Sequence, residues 1–355
     1  MNLAVLLPAL TSLLALLFAI ALFDQWLERR KGFQLVWGAG MLFFAVASGS
    51  EAIGALLGWN DAVYRTWYLT GAVWTAAWLG LGTALLLGKT RFGYAYAALV
   101  LLGGLITFVA RNRYPDAGSL PILLLIAALV VALAIAVETY FQNERWPLIA
   151  ALGVLIASAA AAVFAFTLPL AGQGFALDPV TQIPTGDAVP GAERYMSLLL
   201  NIPGGLALAL GALFSAYIFM PKKRVLDYSL DAAQSGDSFL FNVVLAVVAI
   251  PVNFVASLPG AILALVTGRI HSRVPSTLLI AAGAIVASST DALSRLGSTD
   301  LFQVGKFVGV VLIFMGFLIS IEVFREIRVP FTQRVLRAGR HERMGPAEAT
   351  LERGH

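Results

Sequence analysis

Apolar residues in this chain come in long unbroken runs rather than in alternation. Ten such segments lie at 3–27, 33–58, 63–88, 92–110, 119–141, 147–171, 196–220, 239–268, 277–294 and 301–324. A bilayer core of about 30 Å takes about 20 helical residues, and several of these runs carry no charge over more than that length. The pattern predicts an all-α polytopic transmembrane bundle with nine or ten membrane segments. A β-barrel would instead show short strands of alternating polarity. The first run has no basic residue before it and no small-x-small cleavage site. It reads as a retained span rather than a signal peptide.

The links between segments set an orientation. "ERRK" (28–31), "KTR" (89–91), "QNER" (142–145), "PKKR" (221–224), "RIHSR" (269–273) and the tail from Arg325 onward hold 18 of the 24 Lys and Arg. The positive-inside rule places these links on the cytoplasmic side. The N-terminus is then expected outside and the C-terminus inside. The chain divides into a transmembrane domain, 1–325, with one long outer loop at 172–195, and a basic tail, 326–355. Arg334, Arg337, Arg340 and Arg343 recur every three residues, which would gather them near one face of a helix.

Segment 239–268 does not fit this scheme as a simple crossing. It is thirty residues long, uncharged, and holds Pro251 and Pro259. Both of its flanks fall on the basic side, so one crossing would send the tail outside. Two readings stand. One is a segment that re-enters and returns, or lies along the cytoplasmic face, with a turn near Pro251, Asn253 and Pro259. The other is a kinked full span, since membrane helices tolerate proline.

Composition narrows the chemistry. Charged residues are 12% of the chain, against about 25% in a soluble domain. There is no Cys, which excludes disulfides and thiolate metal sites. Two of the three His, His341 and His355, lie in the tail. No metal site or cofactor motif is expected, and an integral-membrane enzyme ranks third among the function classes, weakened by the absence of Cys and membrane His. The basic balance follows from topology better than from nucleic-acid binding. Small residues recur in "WLGLGT" (Gly80, Gly82) and "GLALALGALFSA" (Gly205, Gly211, Ser215), and would let helices approach closely.

The candidate site residues are polar groups near the outer ends of the helices. Glu51 lies about seven residues inside its segment, where an ionised group needs a partner or a wet cavity. Arg65, at the start of the next helix beside Tyr64, is its expected partner. Asp291 and Arg295 are spaced four apart, favourably for a pair. Lys306 sits near the start of the last segment. These six are the ligand or gating candidates, and each also has a plain reading as an interfacial anchor or structural pair.

"YRTWYLTGAVWTAAWLGLGT" together with "NIPGGLALALGALFSAY" resembles uncharacterised polytopic bacterial membrane proteins. The resemblance implies the bundle fold and a bacterial cell membrane, and carries no activity. Two function classes follow. One is a carrier or channel for a small solute, gated by the outer polar groups. The other is a non-catalytic sensor or an assembly subunit, using the 172–195 loop and the tail as contact surfaces. The implied partners are membrane lipid, a small solute, and a second copy or a membrane-complex partner.

Overall fold

The computed structural model describes residues 3–170, 175–179, 181–184, 186–231, 238–267, 269–271, 273–295, 301–320, 326–328 and 335–338. Its helices are α1 (Leu3–Arg29), α2 (Gly32–Leu57), α3 (Asp61–Trp67), α4 (Ala76–Leu86), α5 (Phe92–Val109), α6 (Leu120–Tyr140), α7 (Trp146–Thr167), α8 (Gly191–Phe219), α9 (Phe239–Val266), α10 (Arg273–Arg295) and α11 (Phe302–Ile319). A π-helical segment, Tyr68–Thr75, joins α3 to α4 without a break. Counting that composite as one, ten helices are long and apolar enough to cross a membrane. The chain is an all-α, multi-pass membrane protein. The described residues of the tail form a short antiparallel ribbon, Glu326–Arg328 with Val335–Ala338. Arg337 thus sits on a strand, and the helical face expected of the tail arginines is not formed there.

The links sort to two ends. At one end Trp146 donates to Gly88 O at 2.9 Å, Lys89 meets Glu144 at 3.5 Å, and Arg91 meets Asp231 at 3.8 Å. This is the end of the basic links, called here the basic end. At the opposite end the Tyr195 hydroxyl contacts the α5–α6 link, donating to Arg111 O at 2.8 Å, while Asp116 accepts from Gly191 N at 2.8 Å. Helix α8 begins at Gly191, earlier than the apolar run alone predicts, and so brings Glu193 and Tyr195 into the bundle.

Among the described residues three apolar clusters form, two of them large. Tyr64, Val73, Leu81, Tyr96, Ile135 and Trp146 lie in one, and Phe18, Leu22, Trp37, Met41 and Phe317 in the other. Helices α4 and α8 approach closely. A Cβ on Gly80 would run into the Gly204 carbonyl, and one on Gly204 would lie 2.6 Å from Ala77 Cα. Contact between backbones replaces side-chain interdigitation, as is usual in membranes. The sequence singled out Gly205, but its Cβ would meet only Ser288 Oγ at 3.6 Å; the seat is its neighbour.

No turn interrupts Phe239–Val266. Helix α9 runs unbroken through Pro251 and Pro259. Asn253, and Ser257 one turn further on, lie within this helix. They hold the preceding strap, 221–231. Asn253 Oδ1 accepts from Val225 N and Leu226 N at 2.8 and 3.0 Å, and its Nδ2 donates to Leu226 O at 2.8 Å. Ser257 Oγ accepts from Lys223 N at 2.9 Å.

Candidate functional site

Glu51 lies six residues before the end of α2, or about 9 Å inside it at 1.5 Å per residue. It is 2% exposed. Its partner is Lys306, whose Nζ stands 2.6 Å from Oε1. Trp67 Nε1 donates to the same oxygen at 2.9 Å, and Gln303 Nε2 donates to Oε2 at 3.2 Å. Gln303 and Lys306, three apart, share a face of α11. Three helices thus converge on one carboxylate. A charge at this depth persists only when paired and hydrogen-bonded. The Lys306 ammonium also lies 5.0 Å from the Phe302 ring and 5.6 Å from that of Phe44, within cation–π range. Gln303 Oε1 and Ser48 Oγ are buried and have no hydrogen-bond partner among the described residues. Ser48 lies one turn before Glu51 on the same helix.

The expected Glu51–Arg65 pair is not formed. Arg65 Nη1 donates to Ala165 O and, at 2.8 Å, to Leu168 O. It satisfies the orphan carbonyls at the C-terminal end of α7, where the helix dipole also favours a cation. The carboxylate within its electrostatic reach is Glu193, which is 1% exposed and keeps Oε1 without a hydrogen-bond partner among the described residues. Sequence spacing failed here because residues on consecutive helices share a depth without sharing a face.

Helix α3 stands between the two clusters. The Trp67 ring contacts those of Tyr64 (5.7 Å), Tyr68 (6.1 Å) and Trp59 (5.7 Å). Tyr64 is fully buried and stacks on Phe175 at 4.5 Å, and Trp59 Nε1 donates to Gln182 O at 3.1 Å. The described part of the 172–195 loop therefore lies over this end of the site. Directly below, the π segment changes the backbone pairing, and the Ala72 carbonyl accepts from Ser197 Oγ at 2.7 Å and Asn201 Nδ2 at 3.1 Å of α8. π-turns within α-helices are frequent at functional sites.

Of the six sequence candidates, Glu51 and Lys306 meet each other. Tyr64 and Arg65 belong to the neighbouring cluster. Asp291 is half-buried near the end of α10, and the Arg295 side chain lies outside the described residues. Pro251, Asn253 and Pro259 belong to α9, at the basic end. Trp67, Gln303 and Glu193 were not anticipated. The one sequence signal for them was polarity: a Gln three residues before a Lys, and a Glu within the first turn of a span.

A cleft of about 640 Å³ opens at the end opposite the basic links. Arg113, Asp116, Arg194, Pro169 and Leu168 line it, and Leu168 is the residue whose carbonyl Arg65 holds. Among the described residues no group of three or more His, Asp or Glu is placed to hold a metal. Compared with protein-family models, curated proteins and solved structures, the chain matches none.

Proposed function

We propose that the protein is a carrier for a small solute in a bacterial cell membrane, with its N-terminus outside and its C-terminus in the cytoplasm, and that Glu51 is its exchangeable ion site. The observation that carries this reading is the Lys306–Glu51 pair, 2.6 Å long, buried, and shared by three helices. An entering proton or small cation takes the place of the Lys306 ammonium on the carboxylate. Lys306 then moves on its flexible stem to the flanking Phe302 and Phe44 rings, while Gln303 keeps its hold on Oε2. Gln303 Oε1 and Ser48 Oγ are the acceptors available to an incoming donor. Because α2, α3 and α11 all hold Glu51, exchange there changes the force between three helices at once. That links occupancy to helix movement. The cleft beside Leu168 is the approach from outside, and the loop carrying Phe175 and Gln182 is its cover.

The test is proton flux into proteoliposomes under an imposed pH gradient with the membrane potential clamped, recorded while a panel of small organic solutes is added. A solute-dependent flux is expected, and it should be lost in the Glu51→Gln, Lys306→Met double variant at near-parental incorporation and melting. Flux equal to that of empty vesicles across the panel overturns the carrier reading. Full complementation of a deletion strain by the double variant would leave the pair as a structural tie, suited to an assembly or sensor subunit.

A further inference from the structure

Helix α9 spans 28 residues, about 42 Å at 1.5 Å per residue, and its composition would allow it to cross a bilayer. Its surroundings exclude that. The chain leaves α8 at Phe219 and enters α10 at Arg273. Phe219 stacks on His271 with centroids 4.9 Å apart, and the Arg273 guanidinium lies 4.3 Å from the same Phe219 ring. The two spans therefore end and begin at one level on one side. A single crossing between them is impossible, and an unbroken helix cannot cross twice.

The contacts along α9 agree at every point. Its first residue, Phe239, meets Tyr94 at the start of α5 and Tyr140 at the end of α6, at 5.8 and 5.1 Å. Its middle holds the strap through Asn253 and Ser257, and Phe254 faces Tyr217 near the end of α8 at 6.4 Å. Near its far end Ala261 packs with Met220 and Val274. All of these partners belong to the basic end.

One stripe of α9, Ala246, Ala249, Asn253, Ser257 and Ala261, is buried against the protein. The other is apolar and open: Val244, Val247, Val255, Ile262, Leu263 and Val266 are each at least 60% exposed. The strap provides the charge that the helix lacks, with Lys222, Lys223 and Arg224 exposed along its edge and Arg269 just past its end. A helix with an apolar face flanked by Lys and Arg is the form that lies in a membrane interface and favours anionic lipid.

We infer that α9 does not cross the membrane but lies flat in the leaflet at the basic end, its valine-rich face among the acyl chains and Lys222, Lys223, Arg224 and Arg269 on anionic headgroups. The bundle then crosses nine times, and the two termini lie on opposite sides.

Because the chain has no Cys, single cysteines can be placed at Val247, Val255 and Ile262 in the full-length protein and spin-labelled in phosphatidylglycerol–phosphatidylcholine vesicles. Depth is read from collisional broadening by oxygen and by a water-soluble nickel chelate. One shallow depth at all three sites is expected. A depth that passes through the bilayer centre at Val255, with shallow sites on either side, overturns the proposal. A second pair, Val225→Cys and Arg269→Cys, should react with a membrane-impermeant maleimide from the same side, and reaction from opposite sides would equally overturn it. For the headgroup contact, Lys222→Gln, Lys223→Gln and Arg224→Gln together should reduce the phosphatidylglycerol co-purified from mixed nanodiscs. Unchanged enrichment would refute the anionic-lipid part.

Discussion

Lys306 and Glu51 stand 255 positions apart in the chain and meet at 2.6 Å. Gln303, one turn before Lys306, holds the other oxygen of the same carboxylate. Lys306→Met or Glu51→Gln alone leaves a buried charge without its partner, at a cost of about 3–5 kcal/mol. The double variant should recover most of that loss. Thermal melting in detergent of both singles and the double closes the cycle; strictly additive losses would show that the two groups do not interact.

Arg65→Gln should destabilise for a different reason. It strips a charged donor from the α7 carbonyls, with about 1.5–3 kcal/mol expected for hydrogen bonds to charged groups. Combined with Glu51→Gln it should show no rescue. Melting of the double above either single would restore the pair that sequence spacing suggested.

Gly80→Val places a side chain against the Gly204 carbonyl, where only hydrogen now fits. Overpacking of this kind costs about 1–3 kcal/mol or more. Lower yield of folded monomer and a lower melting temperature should follow, whereas the same change at Gly32, with nothing near its Cβ, should be neutral.

Asn253→Leu removes three hydrogen bonds to the strap at about 1 kcal/mol each. Trypsin should then cut at Lys222, Lys223 or Arg224 faster than in the parent, while melting of the bundle changes little. Equal cleavage rates would show that Asn253 does not restrain the strap.

The bias of basic links predicts opposite signals from topology reporters fused after His355 and inserted within 172–195, cytoplasmic at the first and external at the second. The same signal at both sites would overturn the orientation.

The bundle was legible because burial in lipid writes itself along the chain: a span has to be apolar over its whole length, whatever it packs against. Lateral neighbours leave no such record. Glu51 stood out as a charge in an apolar run, yet whether Arg65 or Lys306 would meet it depended on how α2, α3 and α11 rotate about their axes, and local spacing does not encode rotation. For Trp67, only its position in the fold shows the indole N–H turned to Glu51. For 239–268 the two prolines suggested a break. The helix absorbed them, and the informative residues were Asn253 and Ser257, polar groups whose spacing of four marks a face that something must cover.

The π segment at Tyr68–Thr75 has a consequence for the two faces of the helix that contains it. Each i→i+5 turn takes in an extra residue, so a wheel drawn at 3.6 residues per turn slips out of phase between Trp67 and Gly80. One continuous helix can then show its indole to α2 and α11 and its bare glycine to α8, as two dials on one shaft are set by a coupling between them. The same residues wound as a regular α-helix would turn one dial against the other.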